Sequence, residues 1–519
     1  MWRWALSGLA IGGLASGTAT AEPNTATIYA KNCAQCHGAQ RLGAIGPALL
    51  PESLRRLRKK RAARVIAAGR AATQMPAFGD KLTKEQIAGL VGLIFTPPAT
   101  VPKWGEVEIH ASHVIKARIE DLPAKPVHNA DPLNMFVVVE AGDHHITLLD
   151  GDRMEPIRRF PSRFALHGGP KFSPDGRFVY FASRDGWITM YDLHGLVTVA
   201  EIRAGINTRN LAISDDGRVV AVANYLPHTL VMLDARDLTP LKIIPVGDRW
   251  KKNSSRVSAV YQAAPRHSFI VALKDIPEIW EIPYSPKSKV RPAGLAHSNE
   301  MGQEEVLADL ASFPIRRIEL SQPLDDFFFD PPYRHVFGSA RDGKKAVVVH
   351  LDVRREIAEV PLAGLPHLGS GITWSYRGRP VLATPHLREG ALSVVDMTNW
   401  KVIKRIKTMG PGFFLRSHEN TPYAWTDVFF GPNRDVLHVI DKRTLEIVKT
   451  LKPAPGKTAA HVEFTRNGRF ALVSVWDMDG ALVIYDAATL EEVKRIPMRK
   501  PSGKYNVFNK ITRSAGTSH

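Results

Sequence analysis

The chain has 519 residues, 44% of them apolar, and its 69 Lys and Arg exceed its 51 Asp and Glu to give a formal charge of +18. This composition excludes a disordered tail and a collagen-like rod, and the presence of only two cysteines excludes a disulfide-stapled small protein. The length predicts two or more domains, and the positive charge favours an anionic ligand or partner; since the sequence carries no nucleic-acid-binding motif, we expect no nucleic acid.

Residues 1–21 have the composition of a secretory signal peptide. One basic residue, Arg3, precedes an apolar run over residues 5–15, and small residues come before Glu22. The run is shorter than the ~20 residues that span a bilayer, which disfavours the alternative of an uncleaved anchor. We therefore expect a periplasmic protein with no membrane span after cleavage.

The run Cys33-Ala34-Gln35-Cys36-His37 has the spacing of a heme c attachment site. In such a site the two thiols form thioethers with the macrocycle, and the histidine is an axial iron ligand. Met75 precedes a proline and a helical pattern from Lys84 to Phe95, where small c-type cytochromes place the second axial ligand; the alternative is a core methionine. Gly46-Pro47 is expected to offer a carbonyl to the His37 imidazole. Residues 22–98 thus resemble a class I cytochrome c, an all-α electron-transfer domain with covalently bound heme c.

A dense basic group follows the heme c motif. Its members are Arg55, Arg56, Arg58, Lys59, Lys60, Arg61 and Arg64. One interpretation is a solvated helix face, and the other is a docking surface for an acidic redox partner.

Prolines interrupt residues 99–127, which predicts a linker. Beyond it, β-rich segments that end in an acidic residue recur. These residues are Asp150, Asp192, Asp234, Glu281, Asp352, Asp396, Asp441 and Asp486. A period of about 40 to 45 residues with four strands per unit is typical of a β-propeller. We predict an all-β eight-bladed propeller over residues 128–519. One longer interval holds an insertion, Ser285 to Gln322, which is either a loop at the ligand-binding face or a peripheral excursion.

A heme c domain followed by an eight-bladed propeller resembles the cytochrome cd1 group. The resemblance covers nearly the whole mature chain, including Ala165-Leu166-His167 and Pro501-Ser502-Gly503-Lys504-Tyr505. Members bind heme d1 on the propeller axis. The resemblance implies His167 as the proximal iron ligand and His367, in a glycine-bearing loop, as the distal ligand or gate. Without it, each would be an ordinary loop or strand-edge histidine.

The group includes nitrite reductases, which make nitric oxide, and dehydrogenases that finish heme d1 by oxidising a propionate of dihydro-heme d1 to acrylate. The segment Phe327-Phe328-Phe329-Asp330 lacks the second distal histidine of the reductases, although His335 nearby is a substitute in principle. His461 and Tyr505 resemble the catalytic pair of the dehydrogenases, as a base and as a group that orients the side chain or relays a proton. Packing roles for both are the alternative.

The resemblance therefore favours an oxidoreductase that performs the last step of heme d1 biosynthesis. Nitrite reductase is the alternative, and a non-enzymatic heme d1 carrier is a third hypothesis. We expect electrons to leave through heme c to an external acceptor, and the finished heme d1 to pass to cytochrome cd1 nitrite reductase.

Heme d1 carries several carboxylates, so the resemblance also implies basic residues around it. Candidates in segments similar to those of the family are Arg158, Arg159, Arg209, Arg256 and Lys274. For each of them the alternative is a solvated surface charge.

Overall fold

The computed structural model describes residues 24–44, 46–54, 57–69, 75–100, 102–166, 168–288, 313–340 and 343–512. The expected signal peptide, Arg55, Arg56, His167 and the central part of the insertion, residues 289–312, lie outside the described residues. Within the described ranges, no helix is both long and apolar enough to cross a bilayer.

The N-terminal part is helical and surrounds a small apolar core. Its helices are α1 (Thr25–Asn32), α2 (Ala34–His37), α3 (Lys59–Ala68) and α4 (Lys84–Phe95). Helix α4 begins at Lys84 because the preceding residue, Thr83, forms a reciprocal capping box with Gln86 of the first turn. The bounds of α4 are those that the sequence pattern predicted. Buried apolar side chains of α1, α3 and α4 form one cluster.

The segment predicted as an irregular linker is more ordered than expected. It contains helix α5 (Glu106–Ala111), the short strand Val114–Ile115 and a 3-10 turn (Ile119–Asp121). Its prolines only flank these elements, since residues 103–122 contain none. Ile109 of α5 is fully buried in the apolar cluster of the second blade. The segment is therefore attached to the propeller.

The described residues of the remaining chain form eight antiparallel sheets with four strands each, one of which a strand of the preceding segment extends to five, and this confirms the predicted all-β eight-bladed propeller. The first four blades, each from inner to outer strand, are blade 1 (Pro501–Asn506, Phe136–Glu140, His145–Asp150, Glu155–Pro161), blade 2 (Lys171–Phe172, Phe178–Ala182, Trp187–Asp192, Val197–Arg203), blade 3 (Asn207–Ile213, Val219–Leu226, Thr229–Asp234, Pro240–Pro245) and blade 4 (Val257–Ala263, Ser268–Leu273, Glu278–Pro283, Arg316–Glu319). Val114–Ile115 pairs with the outer strand of blade 2.

The last four are blade 5 (Leu324–Phe329, His335–Ala340, Lys345–His350, Arg355–Pro361), blade 6 (Ile372–Tyr376, Arg379–Pro385, Ala391–Asp396, Lys401–Lys407), blade 7 (Leu415–Ser417, Tyr423–Asp427, Leu437–Asp441, Glu446–Leu451) and blade 8 (Ala459–Phe464, Phe470–Val475, Gly480–Asp486, Glu492–Met498). Short 3-10 turns lie at Pro132–Asn134, Ala264–Arg266 and Leu368–Ser370. Inner strands are mostly buried, whereas outer strands expose much of their length.

The ring is closed by pairing the two ends of the propeller sequence. The inner strand of blade 1, Pro501–Asn506, pairs with Phe136–Glu140, and helix α6 (Val507–Thr512) follows it. Closure covers the sheet edges that an open arrangement of blades would expose. It also brings Tyr505 next to the inner strand of blade 8, which carries His461.

Candidate functional site

The heme c motif and Met75 line one cavity of about 610 Å³. The His37 Nδ1–H donates to the Pro47 carbonyl at 2.8 Å, which confirms the expected contact and leaves the Nε2 lone pair free for a metal. Burial lowers the pKa of His37 and keeps the ring neutral. Two thiols, a neutral imidazole and a thioether in a largely apolar cavity fit a covalently bound heme. The alternative role of Met75 as a core residue is compatible with its packing, because it also contacts the apolar cluster.

The propeller forms the other wall of this cavity, with Tyr225, Arg256 and Lys274 among its lining residues. Ile206 of blade 3 packs against Ala48 and Leu50 of the heme c domain. The two parts of the chain thus meet directly beside the heme c motif.

His461 lies on a distorted inner strand of blade 8. Its φ is +53°, and the strand register shifts between Ala460 and Val462. The residue is 1% exposed, and neither Nδ1 nor Nε2 has a hydrogen-bond partner among the described residues. Each such buried polar atom costs about 1–3 kcal/mol of folding free energy. Native proteins keep few buried polar groups without a partner, so His461 is a candidate functional residue.

Burial is the main cause that lowers the pKa of His461 well below its usual value. Nearby Lys504, Arg416 and Lys510 lower it further. The imidazole is therefore neutral at physiological pH. In that state it is able to accept a proton.

The Tyr505 ring meets the His461 ring edge to face, with ring centroids 5.1 Å apart. A Cβ added at Gly503 would lie 2.6 Å from the Tyr505 hydroxyl oxygen, and one added at Gly169 would lie 3.0 Å from the ring. Glycines at both positions therefore make room for the tyrosine. Burial raises the pKa of Tyr505 to about 12, so the hydroxyl keeps its proton.

Asp427, at the end of the second strand of blade 7, holds two neighbouring segments. It is 1% exposed. One carboxylate oxygen accepts from the N–H groups of Phe413 and Phe414 at 2.7 and 3.0 Å, and the other accepts from the His461 N–H at 3.4 Å. Burial raises the pKa of Asp427 to about 6. Lys504 holds the opposite side of the distorted strand, since its ammonium donates to the His461 carbonyl.

His367 lies in the loop before blade 6 and depends on the same segment. Its Nδ1–H donates to the Phe413 carbonyl at 2.6 Å, and the two rings are 4.2 Å apart. Burial lowers the pKa of His367, which leaves Nε2 with a lone pair. Asp427 therefore supports His461 directly and His367 through Phe413.

The predicted basic residues fall into three groups. The Arg209 Nε–H donates to the Ser258 carbonyl at 2.9 Å, and its guanidinium lies 4.0 Å from Asp326. The negative charge of Asp326 raises the pKa of His367 and so partly offsets the lowering by burial. Arg256 and Lys274 lie at the interdomain cavity, where they pair with acidic residues.

The structure does not bring Arg158 and Arg159 to His367 and His461. Both lie on the outer strand of blade 1 and are exposed, and Arg159 pairs with Glu140 and Asp143. The outer strand is the edge farthest from the propeller axis, so these two residues do not meet the expectation that they surround a central ligand.

His335 is held away from the same group. Its Nδ1 is 2.7 Å from Asp330, and its ring contacts His350 and Trp400. It does not take the place of a second distal histidine next to His367. His167 lies outside the described residues, so its expected role as the proximal ligand stays a prediction.

Sequence reasoning missed Asp427, Lys504 and Arg416. Asp427 ends a β-strand, as the repeated acidic residues do, but that signal does not distinguish it from turn-forming acids. Arg416 lies next to blade 8 and is 3% exposed. Its Nε has no hydrogen-bond partner in the described part of the chain. Nothing in its local sequence indicates this position.

Comparisons with known proteins agree with this arrangement. Residues 130–510 match the model of the cytochrome D1 heme domain, and residues 21–94 match that of cytochrome C oxidase, cbb3-type, subunit III. The dihydro-heme d1 dehydrogenase of Pseudomonas aeruginosa is 55% identical over 99% of this chain and 100% of its own length. The nitrite reductase of Stutzerimonas stutzeri is 27% identical over 97% of this chain and 96% of its own.

A solved structure described as dihydro-heme d1 dehydrogenase NirN in complex with DHE has a TM-score of 0.85 and 56% identity. The alignment covers 93% of this chain and 99% of that one. Both the sequence and the fold therefore agree over nearly their whole length. The chain belongs to the cytochrome D1 heme domain family and carries a cytochrome c domain at its N-terminal end.

Proposed function

We propose that the protein is a dihydro-heme d1 dehydrogenase, which oxidises one propionate side chain of its tetrapyrrole substrate to an acrylate. The observation that carries the proposal is the buried His461, whose two ring nitrogens lack a partner among the described residues and whose ring lies against Tyr505. The 55% identity to a full-length relative of that name supports it.

The reaction converts a CH2–CH2 unit of the propionate to CH=CH and releases two protons and two electrons. The protein must therefore supply a proton acceptor, groups that hold the carboxylate, and an outlet for electrons. Heme c, when bound, supplies the one-electron chemistry by which two equivalents of an external acceptor take up these electrons.

His461 accepts a proton from the side chain, because its burial keeps the imidazole neutral. Tyr505 keeps its own proton and donates a hydrogen bond that orients the side chain or relays a proton. The guanidinium groups of Arg209 and Arg416 are suited to hold substrate carboxylates. Arg256 and Lys274 extend the positive charge toward the heme c domain.

Two sets of residues would hold the irons. Cys33 and Cys36 would attach heme c covalently, and His37 and Met75 would bind its iron. His167 and His367 would bind the iron of the tetrapyrrole substrate, His367 as a ligand or a gate.

Substituting alanine at Gly46 is expected to disturb His37. A Cβ there would lie 2.8 Å from the His37 Cε1 atom, so the ring must shift and its bond to Pro47 weakens. We expect roughly 10- to 100-fold weaker binding of the iron by His37, measured as a larger fraction of ferrous heme c that binds carbon monoxide. Gly92→Ala is the control, because a Cβ there meets nothing within 4 Å. Equal carbon monoxide binding in both variants would contradict the role of His37.

We place the protein in the periplasm on the composition of residues 1–21. The finished heme d1 is then available to a cytochrome cd1 nitrite reductase in the same compartment. We propose this reductase as the recipient.

The proposal is tested by incubating the purified protein with dihydro-heme d1 and an oxidant in the absence of oxygen. The extracted tetrapyrrole should lose two hydrogens by mass. An unchanged tetrapyrrole that remains bound would indicate a carrier, and turnover of nitrite with the tetrapyrrole unchanged would indicate a nitrite reductase. Either result would overturn the proposal.

A further inference from the structure

We propose that helix α3 is the docking surface for an acidic redox protein that takes electrons from the heme c domain. The exposed basic residues of this segment form what we call the α3 basic face. They are Arg58, Lys59, Lys60, Arg61 and Arg64. The inference rests on the proposed function, because a dehydrogenase needs an external electron acceptor.

Positive charge is concentrated in the heme c domain. Residues 22–98 contain twelve Lys and Arg but four Asp and Glu, so close to half of the net charge of +18 lies in a small part of the chain. Residues 53–79 contain no acidic residue at all. No carboxylate of α3 or of its flanking loops therefore neutralises the α3 basic face.

The arrangement opposes the stability of the helix itself. Lys59, Lys60 and Arg61 occupy the first turn, where the helix dipole repels cations, and Arg58 makes no side-chain capping bond. The helix is held instead by Ala62 and Ile66, which are buried in the apolar cluster. The cations thus do not serve the fold locally, which favours a role in recognition.

The same helix also lines the heme c cavity. Ala62, Val65 and Ile66 line the cavity together with Cys36 and His37. Arg61 is both exposed and part of the cavity lining. A protein that docks on the α3 basic face is therefore separated from heme c by one helix. Opposite charges on such surfaces raise association rates by about 10- to 1,000-fold at low salt.

The test uses plastocyanin, an acidic blue-copper protein, as a one-electron acceptor. Heme c of the full-length protein is reduced with dithionite, the excess is removed, and reoxidation is followed by stopped flow over a range of ionic strengths. We expect the wild-type rate to fall as salt rises. The variant Lys59→Glu/Lys60→Glu/Arg64→Glu should react at least about tenfold more slowly at low salt and show little salt dependence.

The matched control is Arg388→Glu/Lys401→Glu/Lys407→Glu, which changes the net charge equally at exposed residues of the propeller. It should react like the wild type. A glutamine version of the α3 variant, with heme c absorption and circular dichroism recorded, separates lost docking from lost folding.

Three results would overturn the proposal. The first is an unchanged rate of reoxidation in the α3 variants, and the second is an equal loss of rate in the control variant. The third is binding of the protein to phosphatidylglycerol vesicles through α3, with no effect of the α3 substitutions on the rate with plastocyanin. No tetrapyrrole is present in this experiment. Failure of the docking inference is therefore distinct from failure of the proposed function.

Discussion

Replacing His461 by asparagine is expected to abolish the removal of two hydrogens from dihydro-heme d1 while the substrate still binds. Asparagine tolerates the φ of +53°, so the backbone is kept while the proton acceptor is lost. Loss of a general base lowers a rate by about 10²- to 10⁴-fold. Single-turnover conversion is followed by the mass of the extracted tetrapyrrole, and binding is followed by its absorption.

Tyr505→Phe should have a smaller effect, since the ring and its contact with His461 are kept. We expect a fall of roughly 10- to 100-fold, the equivalent of one hydrogen bond to a charged group. The same mass assay measures it.

His438→Ala is the control for both variants. His438 is also a buried histidine, but it bonds Thr450 and the Met409 N–H instead of facing His461. It should leave turnover unchanged. If His461→Asn retains wild-type conversion, or if His438→Ala loses conversion to the same extent, the proposed role of His461 is wrong.

Asp427→Asn is expected to lower turnover by about 10²-fold, because small displacements of reacting groups have effects of this size. An amide keeps one acceptor oxygen and presents an N–H group at the other position. It therefore loses either the bonds from Phe413 and Phe414 or the bond from His461. Since Phe413 also holds His367, the absorption spectrum of the bound tetrapyrrole should shift as well as the rate.

The pH profile separates this positioning role from a general loss of stability. The pKa of Asp427 is raised to about 6, so the carboxylate takes up a proton and loses acceptor capacity as the pH falls through that value. His461 remains neutral there because its pKa is lowered much further. We therefore expect turnover to fall on the acidic side of about pH 6 in the wild type and to be independent of pH in Asp427→Asn over that range.

Asp396→Asn is the matched control for Asp427→Asn. Asp396 also ends a buried strand, but it accepts bonds from the turn residue Thr398. It should reduce stability without changing the pH profile of turnover. If both variants lose activity in parallel with their melting temperatures and keep the wild-type profile, Asp427 has no positioning role.

Local signals in the sequence were reliable for the fold. The Cys33-to-His37 run, the Pro47 carbonyl and the bounds of α4 are features of neighbouring residues, and the structure has the last two as expected. The repeat of strand-ending acids predicted eight blades, because each blade is one local four-stranded unit. The linker was less well predicted, since its prolines flank α5 instead of interrupting it.

The sequence alone determined the heme c motif and the number of blades, and through resemblance to a family it predicted His367, His461 and Tyr505 as site residues. Only the tertiary structure decided that Asp427 joins His367 and His461, and that Arg158 and Arg159 lie on an outer edge. The physical reason is range along the chain. Motifs and repeats arise from residues close in sequence, whereas these contacts form only when the blades close into a ring and bring inner strands together.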